Sequence, residues 1–503
     1  MMSSRLIVKH PFGTPYVSRL ATPPGFYGLL AALSLFLYLS FSYAGGFIGF
    51  PLDDAWIHQT YARNLGLIRQ FAFIPDQPSA GSTSPLWSML LAMGYFLRIE
   101  YHLWTYGLGA VLLGLNAWLA YRLALTLWPE RKTAALLAGL GVALEWHLAW
   151  AAASGMETLL FSALALLVFV IPLGTPRQAL WLGASVGLSI LARPDGLTLL
   201  PFILARVWLT PEKRWRNTLA CVLGFGVIFI PYLAFNYLLG RTWWPNTFAA
   251  KQAEYAILRE APLLTRLWQM GLQPLVGAQA LLLPGLVVAL WTGARQKQWT
   301  WLLPLAWAGS FIVAYALRLP VTYQHGRYLI PVIPALVAVG MGGMAGLLRL
   351  RDSALLPRVL SRAWAATTGL LLLAFWFIGA NAYQRDVQII ETEMVVTARW
   401  IEQNTPPEAL IAAHDIGALG YFGKRNILDL AGLVSPEVIP FIRDETRLRH
   451  WLNDSHADLL VTFPDWYSEL PRSASLVFQT AAPYSPSAGG TNMAVYRWLA
   501  EMP

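Results

Sequence analysis

Charge is scarce in this chain. Only 13% of its 503 residues are Asp, Glu, Lys or Arg, while 56% are hydrophobic. That balance excludes an ordinary soluble globule. With a mean hydropathy of +0.49 it points to a protein that crosses a membrane many times. Cysteine is nearly missing. Cys221 stands alone inside an apolar run, which excludes an intrachain disulfide. No glycine-rich phosphate loop of the Walker or Rossmann kind is present, which argues against a nucleotide site. Internal repeats and low-complexity tracts are also missing, and paired repeats are what many transporters show. The net charge of +9 fits basic loops held against anionic lipid, so nucleic acid is not an expected partner.

What is present is a series of apolar runs. Eleven are expected to be spans, at roughly 25–47, 103–127, 133–151, 156–172, 178–192, 195–209, 217–239, 273–293, 299–318, 327–348 and 363–383. The fifth and sixth are short and are expected to break near their shared turn. Pro85–Leu97 is shorter still and reads as a juxtamembrane helix, which the small hydroxyl residues Ser82-Thr83-Ser84 open with Pro85 in its first turn. The first 24 residues are polar and basic (Arg5, Lys9, Arg19), and the run after them is too long for a cleaved signal, so Gly25–Phe47 is expected to be a retained first span. With the N-terminus in the cytoplasm, the tail joins Arg131, Lys132, Arg177, Lys213, Arg214, Arg216, Arg295, Lys297, Arg349, Arg351, Arg358 and Arg362 on the inner side. That is the bias of a multi-pass plasma-membrane protein.

On this topology the polar clusters fall on the outer face. Asp53-Asp54 follows the first span directly. Such acids at a membrane face are costly unless they meet a proton, a metal ion or a cationic partner. One reading is a helix cap, since acids favour a helix N-terminus. The other is a carboxylate that takes a proton from an acceptor hydroxyl or holds a divalent cation, Mg or Mn. His58 shares a helical face with Asp54, and Arg63 follows on the same segment; each also suits a solvated or snorkelling side chain. Ser154-Gly155-Met156-Glu157 joins two spans and reads as a helix start. Arg193-Pro194-Asp195 is either an ion pair at a turn or an anion site. The aromatic loop around Asn246 and Lys251 suits a sugar or headgroup. His325-Gly326-Arg327 opens a span, where Arg327 either binds a lipid phosphate or anchors the helix. His414-Asp415 follows a strand and has no partner at metal-ligand spacing.

Beyond residue 383 the composition becomes that of a soluble domain. The expected order is a helix over Arg385–Asn404 and strands at Ala409–Ala413, Ile427–Leu430, Asp458–Thr462, Leu476–Gln479 and Met493–Trp498. The chain therefore divides into a transmembrane domain, 1–383, with a first outer loop at 48–102, and a small extracytoplasmic α/β domain, 384–503.

Asp53-Asp54-Ala55-Trp56-Ile57 with Tyr61-Ala62-Arg63-Asn64-Leu65 resembles the first outer loop of GT-C superfamily glycosyltransferases. The nearest branch resembles the mycobacterial terminal arabinofuranosyltransferases and their bacterial relatives. Gly81-Ser82-Thr83-Ser84-Pro85-Leu86-Trp87, Ser154-Gly155-Met156-Glu157-Thr158, Arg193-Pro194-Asp195-Gly196, Pro245-Asn246-Thr247-Phe248 and Arg327-Tyr328-Leu329-Ile330-Pro331 carry it further, with Asp415-Ile416-Gly417-Ala418 and Asp429-Leu430-Ala431-Gly432-Leu433 in the tail. His58 and the short loop after Gly66 depart from the pattern.

The resemblance implies an α-helical polytopic GT-C fold and an inverting glycosyltransferase. The donor would be a polyprenyl-phosphate sugar, and the acceptor a glycan, lipid or protein. Asp53 and Asp54 would be catalytic. Arg327, Arg193 and Lys251 would hold the donor phosphate, and His58, Arg63, Glu157, Asn246 and His325 would bind substrate. Such an enzyme needs no certain cofactor beyond the divalent cation left open at Asp53 and Asp54. The alternative function is a transporter or flippase of lipid-linked glycans.

Overall fold

In the computed structural model, the residues described are 24–210, 212–348 and 354–499. The basic tail residues Arg5, Lys9 and Arg19, and Arg349 and Arg351, lie outside them. The fold is a polytopic helical bundle. Among the described residues, seven helices are long and apolar enough to cross a membrane: Pro24–Ala44, Tyr101–Leu127, Arg214–Gly240, Ala278–Arg295, Trp299–Arg318, Tyr323–Met344 and Leu355–Asn404. An eighth crossing is a pair, Lys132–Ala143 and Trp146–Ala153, bent by 47°.

Three of the eleven expected spans are therefore not full-length helices. Thr158–Val170 has 13 residues and Pro176–Ala192 has 17, against the ~20 a bilayer core needs. The run at 195–209 begins as a 3-10 turn, Pro194–Leu199, before the helix Leu200–Leu209. Pro194 cannot donate into the preceding ladder, which ends Pro176–Ala192 at the expected turn. These short helices pack inside the bundle: Phe161, Leu166, Leu182 and Ile190 are buried. Gly183 and Gly224 let two helices touch, since a Cβ on either would lie 1.9 or 2.0 Å from the other helix's backbone. Phe36, Val111, Val227 and Leu370 face outward and are exposed, as lipid-facing side chains are.

The bend at residue 145 has a local cause. Glu145 is extended and its Oε2 accepts the Leu148 N–H at 2.9 Å, capping the second half of the pair. Its Oε1 meets His147 Nδ1 at 2.7 Å and accepts from the Gln279 amide. This buried acid inside a span is thus fully engaged in breaking the helix.

After the first span the chain turns through Pro51 into the helix Asp54–Ile68, then a short hairpin of β1 (Ala72–Ile74) and β2 (Gln77–Pro78), then the helix Pro85–Phe96. Ser84 caps that last helix through the Trp87 N–H, with Pro85 in its first turn, as expected from the sequence.

The long helix from Leu355 runs on through residue 404 with one π-turn, Glu391–Val395. The expected boundary at 383/384 therefore falls within a continuous helix. Beyond it lie β3 (Leu410–Ala413), β4 (Asn426–Asp429), β5 (Leu459–Thr462), β6 (Ala474–Gln479) and β7 (Ala494–Trp498). Their order is β4-β3-β5-β7-β6, with β3 parallel to β4 and β5 and β7 antiparallel to β5 and β6. The helix Glu445–Asp454 covers one face with Leu448 and Leu452 against Leu430, Val438 and Leu460. Glu393, fully buried in the π-turn, fastens the domain: its carboxylate accepts from the Met493 N–H at 2.8 Å, Asn492 Nδ2 at 3.0 Å and the Thr480 hydroxyl.

Candidate active site

Two cavities meet beneath the C-terminal domain. The smaller, about 460 Å³, runs among the helix ends; Leu197, Trp244, Phe248 and Leu319 give it apolar walls. The larger, about 960 Å³, lies between the bundle and the domain and is lined by Asp53, Glu254, His414, Asp415, Trp466 and Tyr467 among others. Asp54, Lys251 and Arg327 border both.

The junction is one compact charge group. Arg327 Nη2 donates to Asp54 Oδ2 at 2.6 Å, and Lys251 Nζ donates to the same oxygen at 3.1 Å. Both also donate to the Tyr328 hydroxyl, at 3.2 and 3.3 Å. Burial opposes ionisation of Asp54, but the two cations hold its carboxyl far below the usual range. Two cations against one anion leave the junction net positive. Arg327 is buried, yet its Nε and Nη1 have no hydrogen-bond partner among the described residues.

Asp53 is turned away from its neighbour. Its side chain does not cap the helix that it precedes. Instead Oδ2 accepts the Gly417 N–H at 2.6 Å and Oδ1 the Ala418 N–H at 2.8 Å, across to the C-terminal domain. A Cβ on Gly417 would lie 2.0 Å from the Asp53 carbonyl oxygen, so only glycine admits this approach. Burial raises Asp53 to about 6 despite those two donors. Asp415, two residues before Gly417, is raised to about 8 by burial and by repulsion from Asp53. Burial alone would lower His414, but Glu254 at 3.3 Å lifts it to about 9.

A second charge group lines the smaller cavity. Glu157 lies 3.3 Å from His58 Nε2 and 3.8 Å from Arg193 Nε. Burial opposes its ionisation, but His58 and Arg193 hold it down at about 2. Arg193 also pairs with Asp195 at 2.8 Å and donates to the Tyr315 hydroxyl at 2.6 Å. Two carboxylates balance this arginine, unlike Arg327.

The structure therefore brings together Asp53, Asp54, Arg327, Lys251, Arg193, His58 and Glu157. It leaves three candidate substrate-binding residues outside both cavities. Arg63 donates to the Tyr421 and Gly420 carbonyls at 2.6 and 3.3 Å and docks the domain. His325 lies 2.8 Å from Asp386, against Trp146 and Trp150. Asn246 starts the helix Asn246–Glu254 and accepts from Thr242; its neighbours Thr247 and Phe248 reach the smaller cavity instead. Helical phase turns Asn246 away from the lining residues beside it, while Arg63 lies beyond the last lining residue of its helix, His58, and His325 sits at a left-handed φ of 57° next to Gln324. A metal ion at Asp53 and Asp54 does not fit, because one carboxylate is committed to two cations and the other to two backbone N–H groups. No group of three or more acid, His or Cys side chains among the described residues is arranged to hold one. Sequence reasoning missed Glu254, although it stands one turn from Lys251, and gave His414 and Asp415 no part in the site.

The fold matches solved structures. ArnT from Cupriavidus metallidurans in the apo state superposes with a TM-score of 0.59 at 15% identity, over 95% of this chain and 98% of that one. ArnT from the same organism bound to undecaprenyl phosphate gives 0.58 at 16%, over 95% and 99%. This chain has the GT-C fold. A mutant of arabinofuranosyltransferase AftD from Mycobacteria gives 0.51 at 16% identity; 95% of this chain is covered, but only 42% of that much longer one. At such identities the likeness is one of fold. A family model described as a domain of unknown function (DUF8728) matches residues 377–496, the end of the long helix and the domain beyond it. No curated protein matches the sequence.

Proposed function

We propose that this GT-C chain transfers a sugar from a polyprenyl-phosphate donor to a hydroxyl of a glycan, lipid or protein acceptor on the outer face of the membrane. The observation that carries the reading is Arg327: a buried guanidinium with Nε and Nη1 unpartnered, at the junction of two cavities. Unpaired buried donors are costly, and a phosphate satisfies them in the fork geometry that guanidinium prefers. The undecaprenyl phosphate bound by ArnT supports the same assignment.

In this reading the isoprenoid lies in the smaller, apolar-walled cavity and its phosphate rests on Arg327 and Lys251. His58, Glu157 and Arg193 face the donor sugar. The acceptor enters through the larger cavity. Its oxygen attacks the anomeric carbon from the side away from the phosphate, so the configuration inverts. The carbon–oxygen bond to phosphate breaks, and its electron pair leaves with polyprenyl phosphate between the two cations. The acceptor proton passes to the carboxyls on the floor of the larger cavity, where the first loop supplies Asp53.

The test uses purified protein, undecaprenyl phosphate and a panel of polyprenyl-phosphate monosaccharides. Wild type is expected to bind undecaprenyl phosphate and to release it from at least one donor. Arg327→Gln should weaken binding by about 1.5–3 kcal/mol, or roughly 10–150-fold. A wild-type protein that binds the lipid and only moves the donor unchanged across a bilayer is a transporter, and the proposal fails.

A further inference from the structure

The larger cavity opens at the carboxyl ends of the parallel strands. β3 lies between β4 and β5, so the strand order reverses about it. In open parallel sheets a crevice forms outside the strand ends at such a point, and ligands settle there. Here Asp415 follows β3, Leu433 follows β4, and Asp465 and Tyr467 follow β5, and all four line the cavity.

The polar groups around Asp415 are already committed. Asp53 accepts from Gly417 and Ala418, and Asp54 from Arg327 and Lys251. His414 is held between the Tyr467 hydroxyl at 3.1 Å and Glu254 at 3.3 Å. Asp429 accepts from the Ala431 and Val434 N–H groups. The Asp415 carboxyl is half-buried and forms no hydrogen bond or ion pair among the described residues. It also feels the charge of Asp53 and, less strongly, of Asp54 and Glu254, with His414 opposing them. A free carboxyl beside another one is unfavourable until a donor arrives. The hydroxyl of an incoming acceptor is such a donor, and this cavity is where it would arrive.

We propose that Asp415 is a catalytic residue: its carboxyl takes the proton of the acceptor hydroxyl, while Asp53, fixed by two backbone donors, stays behind it as the charge that makes it basic. This rests on the transferase reading above. The acceptor O–H bond breaks as its oxygen bonds the anomeric carbon. The anomeric bond to phosphate breaks with its electrons, and the proton ends on Asp415. The C-terminal domain thereby supplies part of the reacting site. With Asp415 raised to about 8, its basic form fills as pH rises through that value, and turnover should follow.

The experiment compares Asp415→Asn, Asp415→Glu and Asp53→Asn in the full-length protein. It reads undecaprenyl phosphate binding, release of polyprenyl phosphate from the donor panel with alkyl glycosides as acceptors, and the infrared carboxylic-acid band as a function of pH. Asp415→Asn is expected to lose about 10²–10⁴-fold in turnover, with lipid binding unchanged. It should also lose the band that titrates near pH 8 in wild type and flatten the rise of turnover with pH. Asp415→Glu should recover at least about tenfold over Asp415→Asn. Turnover in Asp415→Asn within about threefold of wild type, on the same pH profile, overturns the inference while leaving the transferase reading intact. Wild type that binds the lipid but releases it from no donor overturns both. Lipid binding is the check on folding, because the phosphate site at Arg327 does not include Asp415.

Discussion

Among single residues, the charge ledger at the junction decides what ligand suits it. Among the described residues, Asp54 is the only acid that Arg327 and Lys251 share, and it accepts both through one oxygen. Asp54→Asn leaves the buried Arg327 and the half-buried Lys251 against a neutral amide. Breaking a buried pair in this way typically costs about 3–5 kcal/mol, because the charges left behind are uncompensated. The same cations should then gain more from an added anion. Asp54→Asn is expected to unfold at a lower temperature than wild type, and to show a larger upward shift on adding undecaprenyl phosphate. A smaller shift than wild type's would mean that these cations are not where the phosphate binds.

The raised carboxyls give a second expectation, for stability against pH. Asp53 and Asp415 hold their protons to about 6 and about 8 in the fold, well above an unfolded carboxyl. A raised folded value means that the unfolded chain releases the proton first. Stability therefore falls as pH climbs from near the unfolded value of about 4 through about 8, and His414, which keeps its proton to about 9 where an unfolded imidazole releases it near about 6.5, carries the fall on to that value. Asp415→Asn should flatten the upper part of that fall and be more stable than wild type at pH 8, as read from unfolding midpoints at several pH values. A residue with a merely structural role would lose stability on substitution. Asp54, Lys251 and Arg327 were readable in the sequence because unpaired charges beside lipid must find one another. The approach of Asp415 to Asp53 was not. It depends on a docked domain more than three hundred residues away, and no local spacing encodes that.

At the level of elements, the legible parts were those with strong local chemistry. The cap at Ser84-Pro85, the five strands of the C-terminal sheet and the long apolar helices follow from turn residues and hydrophobic period. The helix Glu445–Asp454 and the β1–β2 hairpin were not anticipated, since short or strongly charged segments carry little periodic signal. The π-turn at Glu391–Val395 was also invisible, and it is there that bundle and domain are fastened. Glu393→Ala removes an acceptor for Met493, Asn492 and Thr480; Thr480 and Asn492 keep the Met493 and Ala482 carbonyls, so the buried Met493 N–H is the donor left unsatisfied, at about 1–3 kcal/mol. The expected outcome is faster proteolytic release of the C-terminal domain, with the transmembrane helices still protected. Equal release rates would show that the apolar contacts alone hold the domain.

For the whole molecule, the function depends on which side of the membrane the two cavities face. Every candidate residue that lines them sits at the domain end of the bundle, beside Asp53 and Gly417. Polyprenyl-linked sugars fit a site there only if that end is external. The basic residues of the sequence argue that it is, since Arg131, Lys213 and Lys297 lie in turns between helices that run toward the domain. Cys221 makes a direct test simple, because the lone cysteine is buried and should not react. Ser475 on the domain and Lys297 in the turn before Trp299–Arg318 are both exposed. In intact cells a membrane-impermeant maleimide should label Ser475→Cys, and should label Lys297→Cys only after permeabilisation. The opposite pattern would put Arg327 and the carboxyls in the cytoplasm. There the chain has no recognisable nucleotide loop with which to use a different donor, and the glycosyl-transfer proposal would lose its substrate.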